Sequence, residues 1–181
     1  FFSGSTIQKG LFSLRLDEFS FVTNQKTPDR GIAIDATLEA KDLSLQPGPQ
    51  MDELLAFVKM QSKQISAPEM TVHATVRNGR ISVDPFTVNI DKYPVVFGGS
   101  IGFDNTIDYY VEVPITDRLL GKASNIAALK NKKVRIPMTG TLDRPRVDYT
   151  RFTSELGRTV TDTVKEVTTD FFKSLRNELS K

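Results

Sequence analysis

The chain has 181 residues, 39% of them apolar, and sets 24 Lys and Arg against 22 Asp and Glu for a net charge of +2. That is enough for one domain with a core. The charge is too balanced for a surface built to neutralise nucleic-acid phosphates, and no apolar run is long enough to cross a bilayer as a helix. Zero cysteines remove disulfides, cysteine-type zinc sites and thiol catalysis together.

The chain opens on Phe1-Phe2-Ser3-Gly4 with no initiator Met and no basic leader. It therefore reads as the C-terminal piece of something longer, with any targeting segment or anchor helix upstream. Residues 10–24 predict two short strands, one with Phe12, Leu14 and Leu16 on a single face, the next with Phe19 and Phe21. A polar loop, 24–30, follows. Ile32, Ile34, Ala36 and Leu38 then alternate with polar neighbours, and Leu43 and Leu45 resume with the opposite parity. A bulge near Lys41 is needed to keep all six on one face.

After Pro47-Gly48-Pro49 the apolar period changes from two to about 3.6. Met51, Leu54, Leu55, Val58 and Ile65 make a helical stripe, with Asp52 and Glu53 suited to the first turn and Lys59 and Lys63 to the last. The expectation is an inserted helix at about 50–66, ended by Ala67-Pro68, whose stripe covers a sheet.

From Glu69 to Tyr149 the period is two almost throughout. Met70, Val72, Ala74 and Val76 share a face; so do Phe86, Val88 and Ile90, then Val95, Phe97, Ile101 and Phe103, then Ile107, Tyr109, Val111 and Val113. Asn78-Gly79 suits a two-residue hairpin that sets Val76 opposite Ile81 and Ala74 opposite Val83. The same register puts Arg77 opposite Arg80, tolerable if both guanidiniums reach water. Parity shifts across Asp84-Pro85, so a bulge or break belongs there. Asp104-Asn105-Thr106 supplies the odd-length loop wanted between Phe103 and Ile107. Residues 114–132 read as a linker with two helical turns, and Lys130, Lys132, Lys133 and Arg135 as a solvated strand start. A strand over 133–142, a turn at Asp143-Arg144-Pro145 and a short strand, 146–149, complete the sheet. From Thr150 to Lys181 apolar residues recur about every fourth position, from Phe152 through Leu156, Val160 and Val164 to Leu179. This is a long, Thr-rich amphipathic helix that needs a surface to pack on; its drifting stripe predicts a break between Val164 and Thr169 or a winding path.

Catalytic chemistry is scarce. His73 is the single histidine and falls on the polar strand face, which suits a surface residue better than a general base. Gly98-Gly99-Ser100-Ile101-Gly102 matches G-x-S-x-G, but that motif needs a strand-to-helix turn with the histidine downstream, whereas this segment reads as a strand entering a hairpin. Neither Asp104 with Asp108 nor Asp143 with Asp148 has calcium-loop spacing. No cofactor or metal is expected, and no enzymatic activity.

The order of features resembles the C-terminal region of AsmA-like proteins, relatives of TamB. The residues that carry the resemblance are VRNGRISVDPF (76–86), PVVFGGSIGF (94–103), IDYYVEVP (107–114) and VRIPMTGTLDRPRVD (134–148), the last holding Val134, Ile136, Gly140, Thr141, Leu142 and Pro145 in a V-x-I-x-x-x-G-T-L…P pattern. It spans about residues 10–149 and does not reach the tail. It implies a curled, one-sided antiparallel sheet over 1–149 forming an apolar groove; with the short middle helix and the C-terminal amphipathic helix at 150–181 that the apolar spacing predicts, the expected fold is mainly β (α+β). It also implies the periplasmic part of an inner-membrane-anchored envelope protein, which holds lipid acyl chains without catalysis in lipid transport or outer-membrane assembly. The expected acyl-contacting residues are Phe86, Val88, Ile90, Phe97, Ile101, Phe103, Ile107, Tyr109, Val111 and Val113; the alternative is that they form an ordinary core under the two helices. Partners on this reading are lipid acyl chains and other envelope proteins, not nucleic acid. A structural or adaptor domain that binds a protein through a sheet edge or the C-terminal helix is the competing function.

Overall fold

In a computed structural model, residues 4–22, 31–57, 64–90, 92–115 and 132–162 are described. They build one mostly β unit, a single open, curled antiparallel sheet of eight strands in strict chain order. The strands are β1 (Thr6–Phe21), β2 (Ile32–Gln46), β3 (Ile65–Arg77), β4 (Arg80–Ile90), β5 (Tyr93–Gly102), β6 (Thr106–Pro114), β7 (Lys133–Thr141) and β8 (Arg144–Val147), with helix α1 (Pro49–Phe57) between β2 and β3. A second helix, α2, occupies 149–162.

The hairpin at Asn78-Gly79 forms in the expected register, Val76 opposite Ile81 and Ala74 opposite Val83. Asn78 at φ 53° and Gly79 at φ 72° give the two positive dihedrals of a type I′ turn, whose twist matches that of the strands. The Arg77–Arg80 pair survives because the guanidiniums diverge. Arg77 reaches Glu18 at 2.9 Å and the Ile34 carbonyl at 2.7 Å, while Arg80 turns to Ser100 and Thr106. The register shifts between Val83 and Phe86, at the proline that cannot donate to a ladder. In β2 the parity change falls at Asp42, which has φ 51°. The pairing runs Lys41 with Glu69 and then Leu43 with Ala67, with Asp42 and Pro68 between, so both strands change face together and Leu43 and Leu45 are buried.

Several boundaries differ from the sequence reading. The two strands expected within 10–24 are one strand of 16 residues: the parity change between Leu16 and Phe19 is absorbed by a bulge at Asp17 rather than a break. Ile65 belongs to β3, pairing with Leu45 and Ile90, so Ala67-Pro68 is strand and not a helix stop. An extended cross-strand partner on each side outweighs the helical spacing of one isoleucine. The last turn is Leu142-Asp143, because Thr141 pairs with Arg144 and Pro145 sits in an edge strand, where its missing N–H costs no ladder bond. Tyr149 starts α2 instead of ending a strand. Phe103 does not pair with Ile107; Ile101 does, and Phe103 turns off to donate its N–H to the Gly79 carbonyl. The loop at 24–30, the linker turns at 116–131, Val58, and the tail from Val164 with its expected break lie outside the described residues.

The core lies on one sheet face. Cross-strand rows such as Phe86–Phe97–Val111–Ile136 and Val88–Val95 with Val113–Val134 are buried beneath Met51, Leu54 and Leu55 of α1. Phe86 and Phe97 stack with ring centroids 5.8 Å apart. Met51 and Leu54 enclose a small void with Phe97, Tyr109, Val111, Met138 and Pro145, so α1 docks over β5 to β8. Phe152, Leu156 and Val160 of α2 pack against the same core.

Candidate ligand-binding face

Because α1 docks over the β5–β8 end, no residue of α1 or α2 lines the cavity at the β1–β4 end of the apolar face. There the curl of the sheet encloses about 500 Å³. β1 contributes Ile7, Phe12 and Leu14; β2 contributes Ala36, Leu38, Leu43 and Leu45; β3 contributes Met70, Val72 and Ala74; and β4 contributes Val83 and Phe86. Each lies on this side because the pairing puts it there: Phe12 faces Ala40, Leu14 faces Leu38, and Leu38 faces Val72. The floor is buried to half-buried, but the β1 wall is open, with Ile7 58%, Phe12 48% and Leu14 67% exposed.

The lining can do little chemically except pack against carbon. Its one polar side chain is Ser5, whose hydroxyl accepts the Gly48 N–H at 3.1 Å. A volume of this size falls within the usual range for small-molecule sites, about 300–1,000 Å³. No group of three or more metal-ligating side chains occurs among the described residues, and no helix among them is long and apolar enough to cross a membrane.

The ten residues singled out from the sequence fall largely elsewhere. Phe86 is the one that lines the cavity. Val88, Ile90, Phe97, Ile107, Val111 and Val113 are at most 4% exposed within the core. Ile101 and Tyr109 are half-buried, burial pushing the Tyr109 hydroxyl pKa up, and Phe103 is a turn residue, 43% exposed. The cavity is thus walled by the exposed Phe12 and Leu14 over a floor that includes Leu38, Leu43, Met70 and Val72, all of which alternation put on the right face without marking a cavity there. The signal that separates the two groups is where a nine-residue helix docks, and periodicity does not encode that.

The opposite face is a polar lattice. Thr37, 2% exposed, donates to Asp17 at 3.1 Å and lies 3.0 Å from His73 Nδ1, so the donating tautomer of His73 completes the arrangement. The Arg15 guanidinium, 2.6 Å from Asp17, together with the Thr37 hydroxyl holds the Asp17 carboxyl below its ordinary range. His73 itself is exposed on β3. Ser100 sits within β5, accepting hydrogen bonds from Arg80 at 3.0 and 3.1 Å, in a strand entering a hairpin rather than a strand-to-helix turn. At the start of β7, Lys133 and Arg135 flank Glu112 at 3.6 and 3.7 Å, and Arg135 stacks over Tyr110, so those cations are engaged with their own sheet. No family model, no curated protein and no solved structure matches the chain.

Proposed function

We propose that this is a non-catalytic lipid-binding module, which holds acyl chains on the uncovered apolar end of its curled sheet. The single observation that carries the reading is the 500 Å³ cavity lined by twelve apolar residues and Ser5. A flexible hydrocarbon chain needs no directional partner, and its burial is favoured at about 0.8 kcal/mol per CH₂. The resemblance to AsmA-like proteins points the same way and extends the proposal to the setting: the periplasmic part of an inner-membrane-anchored envelope protein that supports lipid transport or outer-membrane assembly. On this reading the residues beneath α1, from Val88 to Val113, are the continuation of the groove that α1 closes off.

Native mass spectrometry after gentle extraction from membranes, together with titration of a fluorescent fatty acid, tests the proposal. The protein is expected to carry lipid and to bind the probe, and Leu14→Glu, at an exposed wall position, is expected to weaken probe binding about tenfold or more by setting a charge against the chain. A protein that never retains lipid and does not bind the probe overturns the reading. The second reading, an adaptor that binds protein through a sheet edge, is favoured by the contrast between the edges. β8 is four residues long and carries Arg144, Pro145 and Arg146, whereas β1 is long and contains no proline.

A further inference from the structure

Edge strands offer a row of backbone donors and acceptors to any extended chain, and soluble proteins usually blunt them with short length, proline or charge. β8 is short and carries a proline and two arginines; among the described residues β1 is the long, proline-free edge, its charges and bulges falling between apolar positions. Along β1 the ladder with β2 puts Phe12, Leu14, Leu16, Phe19 and Phe21 on the apolar face, opposite Ala40, Leu38, Ala36, Ile34 and Ile32. All five are between 48% and 67% exposed. Ser13, Arg15, Glu18 and Ser20 take the polar face, and Asp17 is the extra residue of the bulge.

Read from either end, the segment Phe12-Ser-Leu-Arg-Leu-Asp-Glu-Phe-Ser-Phe21 has the same pattern of character at its four outer positions, with Leu16 and Asp17 at the centre. We infer that β1 pairs antiparallel with β1 of a second copy of this chain, about a two-fold axis between Leu16 and Asp17, joining the two sheets edge to edge. In that register Phe12 faces Phe21 of the second copy, Ser13 faces Ser20, Leu14 faces Phe19, and Arg15 faces Glu18. The four outer pairs match apolar to apolar, serine to serine and charge to opposite charge, the last twice over by symmetry, while Leu16 meets Asp17 of the second copy beside the axis. A two-fold contact must be self-complementary in this way, since the same strand supplies both sides.

The bulge takes part in the match. In an unbroken strand an odd register sum would set apolar against polar residues, because side chains alternate with period two. The extra residue at Asp17 reverses the alternation, and the two bulges meet on the axis, where each compensates the other. A shift of one residue destroys the match: Leu16 would face Glu18, and Arg15 would face Phe19. Arg15 and Glu18 are paired with Asp17 and Arg77 within their own sheet, but their side chains stay 63% and 54% exposed, so each can share its charge with a chain laid along the edge. The inference does not depend on what fills the cavity, although Phe12 and Leu14 wall it and the dimer would bring the two open ends together.

Sedimentation of the full chain across a concentration series is expected to show a monomer–dimer equilibrium. Arg15→Glu should raise the dissociation constant on the order of tenfold, since two attractive cross-strand pairs become repulsive, and adding Glu18→Arg should restore it. Arg15 lies on the polar face, so probe binding by the Arg15→Glu variant should be unchanged, which separates failure of this proposal from failure of the lipid reading. The absence of native cysteine allows a positional check. A mixture of Ser13→Cys and Ser20→Cys proteins should form disulfide-linked dimers much faster than either protein alone. A chain that stays monomeric at high micromolar concentration overturns the inference, as does a dimer indifferent to Arg15→Glu, or Ser13→Cys alone linking as fast as the mixture.

Discussion

Leu54→Ala measures how firmly α1 holds the β5–β8 end of the sheet shut. Leu54 is 8% exposed and faces Phe97, Tyr109, Val111 and Met138. Truncation removes the equivalent of about three CH₂ groups, or about 2.4 kcal/mol of transfer free energy at about 0.8 each. A cavity term of about 24 cal/mol per Å³ adds to this wherever the surroundings fail to relax. The contact already contains a void of about 20 Å³, and a helix of nine residues can settle toward the sheet more readily than a strand pinned on both sides. The expectation is therefore about 3 kcal/mol, near the lower end of the usual range for a buried leucine. Urea unfolding followed by far-UV circular dichroism reads this as a midpoint lowered by about 1.5 M for a slope near 2 kcal/mol/M. If α1 detached alone before global unfolding, amide exchange would accelerate in α1 and under it at a smaller global cost. A loss below about 0.5 kcal/mol, the scale of surface positions, with exchange unchanged in α1, would refute the docking argument.

Gly99→Ala should cost about 4 kcal/mol: φ of +129° is strained for any L side chain, and the added methyl would fall 2.3 Å from the Tyr109 Cα, overpacking the β5–β6 ladder. A urea midpoint within error of the parent's would show that the strands can part there. The Asp104 carboxyl is held below its ordinary range, first by the Thr106 hydroxyl at 2.7 Å and then by the Thr106 N–H at 3.0 Å. A depressed folded pKa contributes stability above the unfolded value and loses it as pH falls through the folded one. Urea midpoints measured from about pH 5 down to about pH 2 should therefore fall less steeply for Asp104→Asn than for the parent; parallel curves would mean that the loop contact contributes nothing.

Where local chemistry decides the geometry, the fold was legible from residues alone. Asn78-Gly79 fixed a register, Pro85 fixed a bulge, and the parity of Leu43 and Leu45 demanded the irregularity found at Asp42. Boundaries failed where tertiary pairing overrode spacing, as at Ile65, or where a bulge replaced an expected break, as at Asp17. The candidate site was half legible. Alternation named the greasy face, but which end stays open depends on where α1 lands, a juxtaposition of Leu54 with residues as distant as Met138 that no local pattern encodes. For the same reason Val88 and Val113, chosen for their face, turned out to be core, while Phe12 and Leu14 were left unmarked beside the cavity.

The chain order of the sheet bears on how the protein is made. Every strand pairs only with its neighbours in sequence, so each hairpin can close as soon as its second strand leaves the ribosome, with little loop entropy to overcome. α1 cannot follow the same timetable. Leu54 is synthesised 84 positions before Met138, with which it lines one small void, so at about 5–20 residues per second the helix waits roughly 4–17 seconds for its seat. Through that interval the growing sheet presents an unroofed apolar surface on a tethered nascent chain, and a holding chaperone or early occupancy by an apolar ligand would shelter it until β7 arrives.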